Sequence, residues 1–338
     1  MDTLALRSPP PPLGVLREDG SLDAARGATV SEDLAVALYE HMVVARALDE
    51  RVAALHREGT VPQHASAVGE EAMIVGAAAA MNDEDWIFPT SREVAAALWR
   101  GMPLSAYAYH ALGTEHDAGK GRSSPDAPSW KAARVASVSP LAGTHIPHAV
   151  GLAWAARMHA ADVAALVFFG EEAMRCADFH TGLNFAGVAR APVVAVCRTA
   201  SSAASQQTAG RGIAIRSMGY GLACARVDGG DVVAVLGVVR EARRRAAAGL
   251  GGTLVEAIVD STLDRGSGAG SDPIARMRRQ VEARGLWSDD RERHLRSEVG
   301  ADVERAFASA AAAKPTLETL FDHVYADLPW HLKEQRGT

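Results

Sequence analysis

Two carboxylates stand directly after a strongly apolar stretch in the middle of the chain. The apolar run 163–169 ends at Gly170, and Glu171 and Glu172 follow it. A helix-length stretch and a second apolar run, 192–197, come next. This order predicts a strand–helix–strand unit with a ligand-type turn at the carboxyl end of its first strand. We therefore expect a binding site at this turn.

Several other familiar constellations are missing from the sequence. No pair of histidines has the i, i+4 spacing with carboxylate support that predicts a zinc site. A Gly-x-Ser-x-Gly elbow, a P-loop and a dinucleotide fingerprint are also missing. The three cysteines are not spaced as a metal site, and their odd number fits a reduced cytosol. Cys197 and Cys224 are expected to be buried small apolar residues.

Composition excludes several functional classes. With 48% hydrophobic and 22% charged residues, the chain has the make-up of an ordinary globular protein. The formal net charge of −6 and the lack of a large basic block argue against nucleic acid as a partner. No run of about 18 apolar residues occurs, so a membrane span is not expected. The N-terminus lacks a basic region followed by an apolar core, so the expected location is cytoplasmic.

Apolar runs alternate with helix-length stretches through most of the chain. The runs predicted as strands are 86–88, 135–138, 164–169, 193–197, 223–227 and 253–259. Such alternation predicts an α/β fold in which helices flank a parallel sheet. Before the sheet, Ser31 is a candidate N-cap for a helix that keeps helical spacing to Gly59. A second helix, rich in small residues, is predicted over 67–81.

Three regions are predicted along the chain. Residues 1–30 form an extended segment rich in proline and glycine, and residues 31–262 form the α/β domain. Residues 273–338 form a helical C-terminal region, with one charged helical stretch to about residue 313 and a last helix from Pro315. Between the second and third regions, the Gly- and Ser-rich stretch 262–272 is expected to be loosely ordered.

Longer motifs throughout the chain point to one family. They include HASAVGEEAMIVGAAAAM, WIFPTSREVAAALWRGMPL, GKGR, THIPHAVGLAWAAR, GRGIAIRSMGYGLACARVDGGDVV and HVYADLPWHLKEQ. Together these segments resemble the α subunits of the E1 components of thiamine-diphosphate-dependent 2-oxo acid dehydrogenases, the branched-chain type more than the pyruvate type. The resemblance implies a thiamine-diphosphate-binding fold with helical N- and C-terminal extensions. It also implies thiamine diphosphate and Mg²⁺ as cofactors in the oxidative decarboxylation of branched-chain 2-oxo acids or pyruvate.

The resemblance places the cofactor site at the strand ends. In that family the turn is Gly-Asp-Gly and the second strand runs into Asn-Asn, and these residues hold the Mg²⁺. The cofactor-binding positions implied here are Arg92, Ala142, Thr144, Gly170, Glu171 and Arg211. The implied metal-binding positions are Glu171 and Thr199.

Several substitutions relative to that family predict weakened cofactor binding. Glu172 replaces a glycine and brings a second negative charge toward the diphosphate. Two like charges at about 4 Å cost roughly 4 kcal/mol at an effective dielectric constant of 20. Ala200 offers no side-chain oxygen, and Ala209 stands where the family has an arginine. The stretch 262–272 contains no histidine, whereas the family carries a histidine-rich loop with an acid/base group there.

Catalytic residues are implied only by position. His145 lies in the segment that lines the cofactor in the family, and His64 precedes a helix at the expected pocket mouth. Three hypotheses stay open: an active E1 α subunit, a silent homologue that acts as scaffold or regulator, and a pocket reused for another anion. Small-residue helical faces at 67–81 and 180–190 predict subunit contacts. We expect a homodimer at least, and a heterotetramer with a β-type E1 partner.

Overall fold

The computed structural model describes residues 11–23, 30–200, 212–260, 272–313, 321–322 and 324–336. Its centre is a five-stranded sheet with strand order β1-β2-β3-β5-β4, in which every pairing is parallel. The strands are β1 (Trp86–Phe88), β2 (Ala165–Gly170), β3 (Val193–Ala200), β4 (Ala223–Asp228) and β5 (Thr253–Val259). The predicted α/β fold with a parallel sheet is confirmed.

Helices cover both faces of this sheet. They are α1 (Glu32–Arg57), α2 (Glu71–Ala79), α3 (Val94–Trp99), α4 (Leu104–Ala111), α5 (His145–Met158), α6 (Ala177–Val188), α7 (Val232–Ala247), α8 (Pro273–Ala283), α9 (Asp289–Ala312) and α10 (Trp330–Arg336). Alternate residues of β2 enter two different cores: Leu166 and Phe168 on one face, Val167 and Phe169 on the other. The first core is closed by α1, α2, α7 and the C-terminal helices, the second mainly by α5 and α6.

Some of the predicted elements differ in the structure. Residues 135–138 do not form a strand, because Val135 makes only isolated bridges, to Ile87 and to Trp130. The tail predicted as one helix over 273–313 is two helices, α8 and α9. The connection between them contains Gly285, which has a φ of 70°. The second predicted helix begins at Glu71 rather than at residue 67.

The two cysteines that were predicted to be buried differ in their exposure. Cys197 is buried, as expected, but Cys224 is exposed because β4 is an edge strand. The stretch 262–271 and the predicted helix start at Pro315 lie outside the described residues. Among the residues described, no helix is long and apolar enough to cross a bilayer.

The N-terminal segment is fixed to the sheet edge by one buried carboxylate. Leu13 forms a parallel bridge with Val227 of β4. Asp231 caps α7 by accepting hydrogen bonds from two amides of its first turn, and it also accepts from the amides of Val15 at 2.5 Å and Leu16 at 2.6 Å. One fully buried side chain therefore serves as a helix cap and as the anchor of the segment before α1.

Candidate cofactor site

The Glu171 turn, the short 3₁₀ helix Glu171–Arg175, lies at the carboxyl ends of β2 and β3. Gly170 pairs with Arg198 in the parallel register, so Glu171 and Thr199 come next, side by side. Glu171 Oε2 and Thr199 Oγ1 are both buried and lack a hydrogen-bond partner among the described residues. Buried oxygens of this kind cost free energy unless a partner satisfies them, so the pair indicates a site for a ligand with positive or donor character.

Glu172 folds back over the same turn. A Cβ atom built on Gly170 would lie 2.1 Å from Glu172 Oε2 and 2.6 Å from Arg198 Nη2, so a larger residue there would displace these two side chains. The Glu172 carboxylate is 3.7 Å from Arg198 Nη2 at its nearest recorded approach, and its side chain is 52% exposed. A negative side chain therefore covers the backbone of Gly170 at the start of the turn.

Arg198 sits among several carboxylates beneath the turn. Its Nη1 atom is 3.3 Å from Glu70 Oε2 and 3.8 Å from Glu93 Oε1. Burial raises the pKa of Glu70 to about 7, with Glu93 adding to the rise and Arg198 opposing it. These side chains were not singled out by the sequence analysis. The one available signal was an arginine at the end of an otherwise apolar strand.

Arg92 belongs to a different wall of the site. Its Nε atom donates to the main-chain oxygen of Ser66 at 3.0 Å. It lines a cavity of about 30 Å³ together with Ser91, His64, Asp49 and Tyr107. His64 Nε2 lies 3.5 Å from Asp49 Oδ2, a pairing that turns this imidazole toward α1. Arg92 and His64 thus line the same cavity, and Arg92 also opposes the pKa rise of Glu70, the carboxylate beside Arg198.

His145 begins α5 directly below the sheet edge. Its Nε2 atom donates to the main-chain oxygen of Phe168 at 2.6 Å, and its Nδ1 atom is buried without a partner. Burial lowers the pKa of His145, so the ring stays neutral at neutral pH. The geometry gives this ring the role of a hydrogen-bond acceptor inside the site.

The other predicted site residues precede α5 or lie outside the described residues. Thr144 is the half-buried residue before α5, and Ala142 lies exposed in the preceding turn. Arg211 lies outside the described residues. Within the described part of the chain, no group of three or more His, Cys, Asp or Glu side chains could hold a metal ion. A metal at the Glu171 turn would therefore need Thr199, main-chain oxygens or oxygens of a bound ligand.

Comparison with known proteins identifies the family. A family model described as "Dehydrogenase E1 component" matches residues 39–259. The chain belongs to the dehydrogenase E1 component family. Membership in this family, with relatives that are α subunits, implies dependence on thiamine diphosphate.

Three relatives of the chain are named as alpha subunits of 2-oxoisovalerate dehydrogenase. The chain is 34% identical over 327 residues to 2-oxoisovalerate dehydrogenase subunit alpha 2, mitochondrial, of Arabidopsis thaliana, covering 90% of this chain and 69% of that protein. It is 34% identical to 2-oxoisovalerate dehydrogenase subunit alpha, mitochondrial, of Bos taurus over 319 residues, with 88% and 70% covered. The Homo sapiens protein of the same name is 34% identical over 320 residues, with 88% and 72% covered.

Proposed function

We propose that this chain is the α-type subunit of an E1 component in which cofactor binding is weakened, and that it serves the oxidative decarboxylation of branched-chain 2-oxo acids. Pyruvate is the other substrate that the family resemblance offers. One observation carries the proposal: Glu171 Oε2 and Thr199 Oγ1 are buried, unpaired and adjacent at the ends of neighbouring parallel strands. In parallel α/β sheets, ligands bind outside these carboxyl ends.

The residues present fit Mg²⁺-thiamine diphosphate in part. Glu171 and Thr199 would supply oxygens to the metal, and the neutral His145 ring would accept a hydrogen bond at its Nδ1 atom. When bound, thiamine diphosphate supplies the electron sink for decarboxylation.

Weakened binding is supported by the surroundings of the turn. Mg²⁺ requires near-octahedral oxygen ligands and tolerates misplacement poorly. Thr199 offers a neutral hydroxyl, and Ala200 offers no side-chain oxygen at all. Glu172 lies across Gly170, and the Arg198 guanidinium near it is shared with Glu70 and Glu93. An incoming diphosphate would therefore meet the Glu172 charge, which Arg198 offsets only in part.

A β-type partner is supported by the outer surface of α5 and α6. Trp154 and Met158 of α5, with Phe185 and Val188 of α6, are all exposed, and the Trp154 and Phe185 rings are 6.3 Å apart. Large exposed apolar patches of this kind mark interaction sites. The relatives are named as α subunits, that is, as one kind of chain in a larger enzyme. We therefore propose assembly with a β-type E1 subunit into a heterotetramer, and a homodimer without it.

The cytoplasm is the proposed location, a proposal that rests on the three unpaired cysteines. Cell fractionation followed by immunodetection of the native chain tests it. Recovery from a membrane-bounded compartment would contradict it.

A second candidate function is supported by the position of the Glu172 carboxylate against Gly170. If this carboxylate keeps the cofactor out altogether, the chain is a catalytically silent E1 α homologue that serves as scaffold or regulatory subunit. The two functions share the fold and the partner. They differ in whether the assembled protein decarboxylates a 2-oxo acid.

Titration calorimetry with thiamine diphosphate, with and without Mg²⁺, tests the proposal on the chain alone and on its assembly with a β-type subunit. We expect binding that depends on Mg²⁺ and is weaker than micromolar. Micromolar or tighter binding would contradict the weakened site. The combined change Glu171→Asp, Glu172→Gly and Ala200→Asn should tighten binding. Cofactor binding together with slow decarboxylation of a 2-oxo acid supports the subunit function. A lack of binding both to the chain alone and to its assembly with a β-type subunit supports the silent homologue.

A further inference from the structure

His180 joins two segments that are far apart in the sequence. The imidazole lies on α6, and its Nε2 atom donates to the main-chain oxygen of Met174 at 3.0 Å. A carbonyl oxygen only accepts hydrogen bonds, so Nε2 carries the hydrogen and Nδ1 is left as an acceptor. The Tyr220 hydroxyl donates to that Nδ1 atom at 2.5 Å. The result is a chain of two hydrogen bonds from Tyr220 through His180 to Met174.

Both ends of this chain lie in short 3₁₀ helices. Met174 belongs to the Glu171 turn, and Tyr220 ends the 3₁₀ helix Ala214–Tyr220. Such helices have poorer hydrogen-bond geometry than α-helices and depend more on outside support. In the Glu171 turn, Glu172 and Arg175 are exposed to solvent, and His180 contacts the turn through the Met174 main-chain oxygen.

The 3₁₀ helix Ala214–Tyr220 is itself firmly placed. The buried Glu256 Oε2 accepts hydrogen bonds from the amides of Ile213 and Ala214, each at 3.0 Å. At the other end, a Cβ atom built on Gly187 of α6 would lie 1.6 Å from the Tyr220 main-chain oxygen. This helix is therefore a fixed point from which the His180 bonds can support the Glu171 turn.

We propose that His180 is a positioning residue that fixes the Glu171 turn relative to the 3₁₀ helix Ala214–Tyr220. This inference rests on the proposed function, because the turn matters as the support of Glu171. The aromatic rings hold the imidazole in place: Phe179, which is fully buried, meets the His180 ring edge-on at 5.2 Å. Since Mg²⁺ tolerates misplaced ligands poorly, a looser turn binds the metal and its cofactor less well.

Hydrogen–deuterium exchange on the full chain tests the coupling without any cofactor. Tyr220→Phe removes only the donor hydroxyl, His180→Phe removes both bonds, and His180→Gln keeps one donor and one acceptor. We expect amides of residues 171–176 to exchange about threefold to tenfold faster in Tyr220→Phe, the range that loss of one hydrogen bond gives, and at least as fast in His180→Phe. His180→Gln should restore most of the protection. Asn184→Ala, a change on the exposed side of the same helix, is the matched control and should change nothing.

The Tyr220→Phe variant distinguishes a coupling to the Glu171 turn from a purely local role, because Tyr220 is 46 positions after Met174 in the chain. A purely local role would change exchange only near residue 220 and would leave 171–176 as it is, which would overturn the proposal. A second measurement follows Mg²⁺-dependent binding of thiamine diphosphate, which should weaken by a similar factor in both Phe variants. If the unchanged chain binds no cofactor, the proposed function fails, whereas the exchange result still decides on His180.

Discussion

Removing the charge of Glu172 should strengthen cofactor binding. The side chain lies against Gly170, where a diphosphate would approach, and it is about half exposed. At about 4 Å, repulsion between two unit charges is roughly 4 kcal/mol at an effective dielectric constant of 20 and about 1 kcal/mol in water. Because this carboxylate is half exposed and already near Arg198, the lower figure applies. Glu172→Gln should therefore lower the Kd of Mg²⁺-thiamine diphosphate about fivefold.

The assay is titration calorimetry at low and at high salt. Screening weakens interactions between exposed charges, so the advantage of Glu172→Gln should shrink as salt is added. Glu298→Gln makes the same charge change on α9 at an exposed position and serves as the control. It should leave the Kd unchanged at both salt concentrations.

Two results would refute this reasoning. If Glu172→Gln weakens binding, the carboxylate is a metal ligand and not an obstacle. If binding is unchanged at low salt while Glu172→Gly strengthens it, the obstacle is the bulk of the side chain and its charge is irrelevant.

Three other predictions concern stability. The pKa of Glu70 is raised from 4.5 to about 7, so the folded chain holds this proton more tightly than the unfolded chain does. The free energy of unfolding therefore falls as pH rises from about 4.5 to about 7. Glu70→Gln should flatten this slope in urea denaturation series; an unchanged slope would contradict the assignment. Gly187→Ala should cost about 1–3 kcal/mol because the new Cβ meets a main-chain oxygen, whereas Gly237→Ala, with open space in α7, should gain about 0.5–1 kcal/mol. Similar denaturation midpoints for the two would rule this out. Asp85→Ala leaves the buried Arg243 guanidinium without a main partner and should lower stability by about 3–5 kcal/mol in chemical denaturation. A loss below about 1 kcal/mol would show that this pair is not desolvated.

Most of the sheet could be predicted from the sequence because β2, β3 and β5 are buried on both faces. Continuous apolar runs such as those of β2 and β3 are typical of a parallel sheet covered by helices. The run at 135–138 is also largely apolar but forms no strand, since its pairing with β1 is limited to a bridge at Ile87. Local composition does not tell whether a neighbouring strand is close enough to pair.

The candidate site was predictable only where its residues follow strands directly. Glu171 and Thr199 could be placed because they end adjacent strands whose register aligns them. The grouping of Arg198 with Glu70 and Glu93 could not, because those glutamates come from separate loops far earlier in the chain. His180 gave no sign of its bond to Tyr220, since a histidine on a helix face is usually a solvated or packing residue.

The Asp231 anchor sets an order of events during synthesis. This carboxylate holds the amides of Val15 and Leu16, which precede it by 216 and 215 positions. At a translation rate of about 5–20 residues per second, the ribosome needs roughly 10–40 s to add the intervening chain. Arg276, which donates to the Leu16 main-chain oxygen, is made later still. A segment made before the sheet is therefore among the last to reach its place. Until then, the edge of β4 stays open to strands of other nascent chains.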